Sequence, residues 1–252
     1  MIASLPMYDW DELRAPTDRL WGLVRDNLRA SGIAAPDALQ RGGDMWGDWL
    51  NPDLILSQTC GFPYRTRLHG RVALIGTPDY GLPDAAPGHY YSQIIARADG
   101  LDDWRDYLDR TLAINGDDSQ SGWAAPQNHA ALAGRRFDDC LVTGAHVASA
   151  TAVAEGQADL AAIDAVTWRL IMAHRPALAG ALKVIAHTDP TPGLPLITAL
   201  GNDSRSIAVA VQTAISALSP DDRAALGLRG LTAIPAPNYL AVPTPTPLSV
   251  GI

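Results

Sequence analysis

Lysine is almost absent from this 252-residue chain: Lys183 stands alone, and the Lys and Arg total of 19 faces 27 Asp and Glu, a formal net charge of −8. That balance excludes the broad cationic surface that neutralises nucleic-acid phosphates or anionic lipid. No nucleic acid is therefore expected as a partner, and a small anion would have to be held by local dipoles. Cysteine is equally scarce. Cys60 and Cys140 are too few and too far apart for a disulfide framework or a thiolate metal spacing, so they read as buried free thiols, and neither a metal nor a cofactor is expected. The most apolar region, Leu160 to Ala186, is interrupted by Asp164, Arg169, His174, Arg175 and Pro176, which argues against a membrane span. Residues Met1 to Tyr8 lack a basic start, a long apolar core and a cleavage site, so they do not read as a secretory signal; either a leader was removed or the chain is cytoplasmic.

What is present suits a globular α/β protein, since 47% hydrophobic and 18% charged residues are ample for a core. Ile2 to Met7 reads as a first strand, and Thr17 to Ala30 as a helix with Leu20, Val24 and Leu28 on one face. Tyr8 would then lie at the carboxyl end of a strand, the rim where open α/β sheets bind ligands, although packing under the helix explains it as well. Gly42 to Leu50 suits a short helix. Asp53 to Gln58 is a continuous apolar strand that ends in Gln58-Thr59-Cys60-Gly61, a polar turn whose N–H groups could face a ligand or simply turn the chain. Arg71 to Thr77 follows as a strand, and the loop through Pro78, Gly81, Pro83, Pro87 and Gly88 marks a boundary.

His89 to Ala98 reads as an extended crossing into a second lobe, Leu101 to Arg110 as a helix, and Leu112 to Asn115 as a buried strand. Asp117-Asp118-Ser119-Gln120-Ser121-Gly122 comes next, with a small Ala-rich helix over Trp123 to Gly134. Ser119, Gln120 and Ser121 thus sit at a helix start. The first N–H groups of a helix have no internal partners and carry the positive end of its dipole, so these residues could surround an oxyanion; Ser119 could equally be an ordinary cap.

Asp139 to Thr143 is a strand that delivers His146 to the start of another helix, where a neutral imidazole can donate to an anion or lie on the surface. The strand Asp159 to Asp164 ends in a carboxylate at the same rim, suited to a ligand or to capping the helix from Ala165. Leu182 to Ala186 is a strand. After the Pro-rich segment 188–195, Leu196 to Leu200 returns to the first lobe, Asp203-Ser204 caps a helix bearing Ile207, Val211, Ile215 and Leu218, and the tail after Pro235 reads as extended. The expected division is residues 1–86 with 196–252 as lobe 1 and 87–195 as lobe 2, with hinges near 86–98 and 188–200.

Three stretches in this order resemble the phosphate/phosphite/phosphonate substrate-binding proteins of ABC importers: Asn115 to Gly122; Thr143-Gly144-Ala145-His146 with Glu155 to Asp164; and Thr191-Pro192-Gly193-Leu194-Pro195. The resemblance implies a two-lobe, periplasmic-binding-protein-like fold of type II, a Venus flytrap in which each lobe is a mixed sheet flanked by helices. It implies a small oxyanion bound in the interlobe cleft with hinge closure, an ABC permease as partner, a periplasmic role, and no catalysis. The ligand oxygens would fall to Ser119, Gln120, Ser121 and His146, with Tyr90 as the best match for a tyrosine on the crossing strand and Tyr91 next. The middle residue of the Ser-x-Ser turn is often Thr in phosphonate binders and is Gln120 here. Leu194 stands where some members carry an acidic residue. Two other readings reuse the same fold: a cytoplasmic sensor, and an enzyme of thiamine or pyrimidine metabolism. Ser119 or Ser121 with His146 and Asp164 are the residue types of an acyl-transfer triad, but no Gly-x-Ser-x-Gly elbow accompanies them.

Overall fold

The apolar stripe produces the long helix Arg14–Ala30, in which Leu20, Trp21, Val24 and Leu28 are buried. Spacings of three and four residues place these side chains on one face. Gly32 ends the segment at φ 79°, a left-handed conformation that costs glycine nothing. The computed structural model of the chain describes residues 1–247.

The chain forms two compact units, Met1–His89 with Pro192–Leu240, and Tyr90–Thr191 with residues 241–247. In the first unit a five-stranded sheet runs in the order Ile2–Ala3, Leu54–Gln58, Leu196–Ala199, Val72–Asp79, Gly230–Thr232. Ile2–Ala3 pairs parallel to Leu54–Gln58, and the returning strand Leu196–Ala199 runs antiparallel to both of its neighbours. The helix Ser204–Ala217, capped by the Asp203 carboxylate on the N–H groups of Arg205 and Ser206, buries Ile207, Val211 and Ile215 in one core with Leu20, Val24 and Leu28.

The second unit has its own five-stranded sheet, ordered Cys140–Val142, Leu112–Ile114, Leu160–Asp164, Ser92–Arg97, Leu182–His187. The first three strands are parallel, and the crossing strand Ser92–Arg97 is antiparallel to both neighbours. Parallel strands with helices between them aim their carboxyl ends at one rim. Asn115, Thr143 and Asp164 all stand at that rim.

Several local expectations need correction. The first strand stops at Ala3, because Pro6 opens a 3₁₀ turn, Pro6–Tyr8. The helix expected over Leu101 to Arg110 is a single 3₁₀ turn, Trp104–Tyr107; Asp103 caps it on the Arg105 N–H, and one turn suffices to bury Trp104, Tyr107 and Leu108. The tail after Pro235 is not wholly extended: Ala236–Leu240 is helical and buries Tyr239, whose hydroxyl meets that of Thr77 at 2.5 Å. Residues 241–247 group with the second unit, where Asn128 Nδ2 donates to the Pro243 carbonyl (3.0 Å). Residues 248–252, included in the same expectation, lie outside the described residues. Neither cysteine forms a disulfide and both are only half-buried; burial pushes the Cys140 thiol up to about 12.

One buried group should make the second unit acid-sensitive. The ring centroids of His129 and Trp104 lie 4.4 Å apart, and both His129 ring nitrogens are buried without a hydrogen-bond partner among the described residues. Burial holds its pKa below the ordinary histidine value, with Asp189 opposing and Arg105 and His187 adding to the effect. The folded state therefore resists a proton that the unfolded chain accepts near pH 6.5, so stability is highest above that pH and falls as pH drops through the window below it. Urea unfolding at pH 7.5 and pH 5 should show a loss at the lower pH that is smaller in His129→Phe. An equal loss in both proteins would assign the acid sensitivity elsewhere.

Candidate functional site

In the second unit the chain leaves the strand Leu112–Ile114 and enters a π-helical turn, Gln120–Ala124, that runs directly into the helix Ala125–Ala131. The helical run thus begins three residues before the expected Trp123. Ser119 is its cap: the Ser119 hydroxyl accepts from the Gly122 N–H at 3.0 Å. Accepting that bond leaves the hydroxyl hydrogen available to a ligand. Ser119, Gln120 and Ser121 are all buried.

The helix His146–Ala154 brings His146 onto this turn. Its Nε2 lies 2.8 Å from Ser121 Oγ and 3.5 Å from Asp164 Oδ2. The turn that delivers it is braced by Thr143, whose hydroxyl donates to the Ile114 carbonyl (3.0 Å) and meets Ser149 Oγ (2.7 Å), and by Gly144 at φ 88°. Burial lowers the pKa of His146 from its ordinary value, while Asp164 and the Ala162 carbonyl favour the charged form. Asp164 does cap the next helix: one of its oxygens accepts from the N–H groups of Val166 (3.1 Å) and Thr167 (2.9 Å).

Two residues outside the expected ligand set complete the cluster. Ser92, on the crossing strand two places after the buried Tyr90, donates from its hydroxyl to the Ser121 carbonyl at 2.9 Å. Gly122 is glycine for lack of space, since a Cβ there would stand 1.9 Å from Asn115 Oδ1 and 3.3 Å from His146 Cε1. Only the three-dimensional path of Asn115 reveals that constraint.

The first unit gathers the remaining candidates. Gln58, the last residue of its strand, donates from Nε2 to the Leu194 carbonyl (3.3 Å) and lies 3.4 Å from the Tyr80 hydroxyl; Tyr80 in turn packs edge-on against Tyr8, with ring centroids 5.3 Å apart. Thr59 is fully buried, its N–H donates to the Pro195 carbonyl (3.1 Å), and its hydroxyl has no partner among the described residues. Tyr80 is the residue here that no local pattern singles out.

Ser121, His146 and Asp164 do come together, but not as an acyl-transfer triad. That chemistry needs the serine on one imidazole nitrogen and the carboxylate on the other. Here both approach Nε2. The arrangement offers neutral hydroxyl and backbone donors at a helix start, with an imidazole behind them, which is the chemistry of anion binding. Among the described residues no cluster of His, Cys, Asp and Glu could hold a metal, and no helix is long and apolar enough to cross a membrane.

Two α/β units, each a mixed sheet flanked by helices, define a two-lobe periplasmic-binding-protein-like fold. The chain belongs to the family described as "ABC transporter, phosphonate, periplasmic substrate-binding protein", whose profile matches residues 59–238. Members of that family are substrate-binding proteins of transporters, not enzymes. Solved structures share the fold at low identity. PhnD1 from Prochlorococcus marinus in complex with methylphosphonate is 13% identical, with a TM-score of 0.70 and 94% of each chain covered. A binding protein component of an ABC phosphonate transporter from Pseudomonas aeruginosa is 18% identical, with a TM-score of 0.67, covering 95% of this chain and 82% of that one. XAC2383 from Xanthomonas citri, bound to ATP, is 16% identical, with a TM-score of 0.69, covering 94% and 92%. Comparison with curated protein sequences returns no match.

Proposed function

We propose that the protein captures a small phosphorus oxyanion, namely a phosphonate, phosphite or phosphate, and delivers it to an ABC permease. The observation that carries this reading is the buried Ser119-Gln120-Ser121 turn at the start of a helical run, with His146 bonded to Ser121 at 2.8 Å. Hydroxyl donors and unpaired helix N–H groups suit a compact tetrahedral anion, and they do so without a lysine or arginine. Membership of a phosphonate-binding family supports the same ligand class, as does the methylphosphonate named for PhnD1. On this reading Ser119, Gln120, Ser121 and His146 hold the anion's oxygens, Tyr90 stands beside them, and Asp164 steadies His146. Tyr8, Gln58 and Thr59 are also assigned to the ligand, and of these the Thr59 hydroxyl has no partner among the described residues.

A thermal-shift screen against methylphosphonate, 2-aminoethylphosphonate, phosphite, phosphate, sulfate and a sulfonate tests the proposal. A ligand at one hundred times its dissociation constant stabilises the folded state by about 2.7 kcal/mol, roughly 5 to 10 °C for a chain of this length. A shift of that size is expected with at least one phosphorus oxyanion, reduced in Thr59→Val. No shift with any of the three phosphorus classes, or a shift with the sulfonate alone, would overturn it.

A further inference from the structure

We propose that anion binding at the Ser119–Ser121 turn is coupled to proton uptake by His146, so that the site holds its ligand as anion plus proton and releases it as pH rises. This rests on the anion-binding reading above and adds its regulation.

The geometry sets an imidazole between opposing demands. His146 is the first residue of its helix and its side chain is only 12% exposed, and both circumstances disfavour the imidazolium. Facing it are two acceptors that favour the charge. The Ala162 carbonyl is one, and Asp164 Oδ2 at 3.5 Å is the other. That carboxylate cannot turn away, because its second oxygen is held by the Val166 and Thr167 N–H groups. The other groups around the ring are neutral: Ser121 and Gly122 from the π-helical turn, the Asn115 amide behind them, and a first helical turn with no acidic residue. Among the described residues, Asp164 is the one charged side chain that acts on His146. Burial outweighs both acceptors, and the ring's pKa lies below its ordinary value.

A bound anion changes the outcome. Ser121 Oγ is 2.8 Å from Nε2 and is itself a donor of the anion-binding turn. An oxyanion that accepts from Ser121 therefore brings negative charge within about 5 Å of the imidazole, two hydrogen-bond lengths away. At the effective dielectric of a partly buried site, a unit charge at that range raises the ring's proton affinity on the order of a hundredfold. The ring nitrogen that is bare in neutral histidine takes a proton from solvent, and the complex carries one negative charge fewer than its parts. Linkage fixes the sign: a group whose pKa rises on binding makes affinity fall as pH rises between the two values.

Calorimetric titration of the full chain with methylphosphonate at pH 7, in buffers of different ionisation enthalpy, counts the protons taken up per ligand. Wild type is expected to take up more than His146→Gln by a sizeable fraction of a proton, and its affinity should fall several-fold more than the variant's between pH 6 and pH 8. Because the variant binds the same ligand, the difference removes the ligand's own ionisation. Should the variant bind too weakly to titrate, ¹⁵N resonances of the wild-type imidazole decide the matter: His146 should titrate below pH 6.5 in the empty protein and above it when saturated. Binding with equal proton counts, or an imidazole whose titration ignores the ligand, would overturn the coupling and leave the anion site standing. Failure of methylphosphonate, phosphite and phosphate alike to bind would remove the site reading and the coupling together.

Discussion

Gly122→Ala is expected to weaken oxyanion binding at least tenfold and to destabilise the second unit by about 1 to 3 kcal/mol, the usual penalty for forcing a methyl group into filled space. The added Cβ would stand 1.9 Å from Asn115 Oδ1, so the Asn115 side chain has to swing out of a partly buried site, and at 3.3 Å from Cε1 it also presses on the ring of His146. Both displacements disturb the turn on which Ser119 accepts the Gly122 N–H and Ser121 meets Nε2. The contrast is Gly22, in the middle of the helix Arg14–Ala30, where a Cβ would meet nothing within 4 Å. Gly22→Ala should therefore stabilise the protein by about 0.5 to 1 kcal/mol and leave binding intact. Urea unfolding with a ligand titration measures both variants. Normal binding in Gly122→Ala would mean that the turn is not where the anion sits.

Leu28→Ala should cost about 2 to 5 kcal/mol of the first unit's stability. Leu28 is fully buried, and it belongs to a core that includes Val24 of its own helix and Ile207, Val211 and Ile215 of Ser204–Ala217. Two long helices with fixed side chains leave little room for the cavity to collapse, which places the cost in the upper half of that range. A denaturation midpoint within about 1 kcal/mol of wild type would show that the two helices can close the gap.

The long amphipathic elements were legible in the sequence because one periodic face and one cap specify each of them. Leu20, Val24 and Leu28 mark the first helix, and Asp203 with Ile207, Val211 and Ile215 marks Ser204–Ala217. Buried strands such as Leu54–Gln58 and Leu160–Asp164 were equally plain as short apolar runs. Short elements were not. The turn Trp104–Tyr107 has apolar residues at helical spacing, yet nothing in the local pattern says that one turn already buries them. Gly230–Thr232 is a strand only because Val72–Asp79 offers it an edge, and Ala236–Leu240 is helical around a buried Tyr239 whose partner, Thr77, is remote in sequence. The candidate site divides the same way. Ser119, Ser121 and His146 could be picked from residue type at helix starts. Their bond to one another, the Ser92 brace and the constraint at Gly122 depend on strand order in the sheet, which no local signal encodes.

The central claim is that the Ser119–Ser121 turn binds a phosphorus oxyanion, and calorimetric titration of wild type and Ser121→Ala with methylphosphonate, phosphite and phosphate tests it most directly. A hydrogen bond to a charged group contributes about 1.5 to 3 kcal/mol, so wild type should bind one of the three saturably at one site, and Ser121→Ala should bind it roughly 10- to 150-fold more weakly with an unchanged fold. Equal affinities in the two proteins would contradict the account, because the anion would then be held somewhere other than this turn.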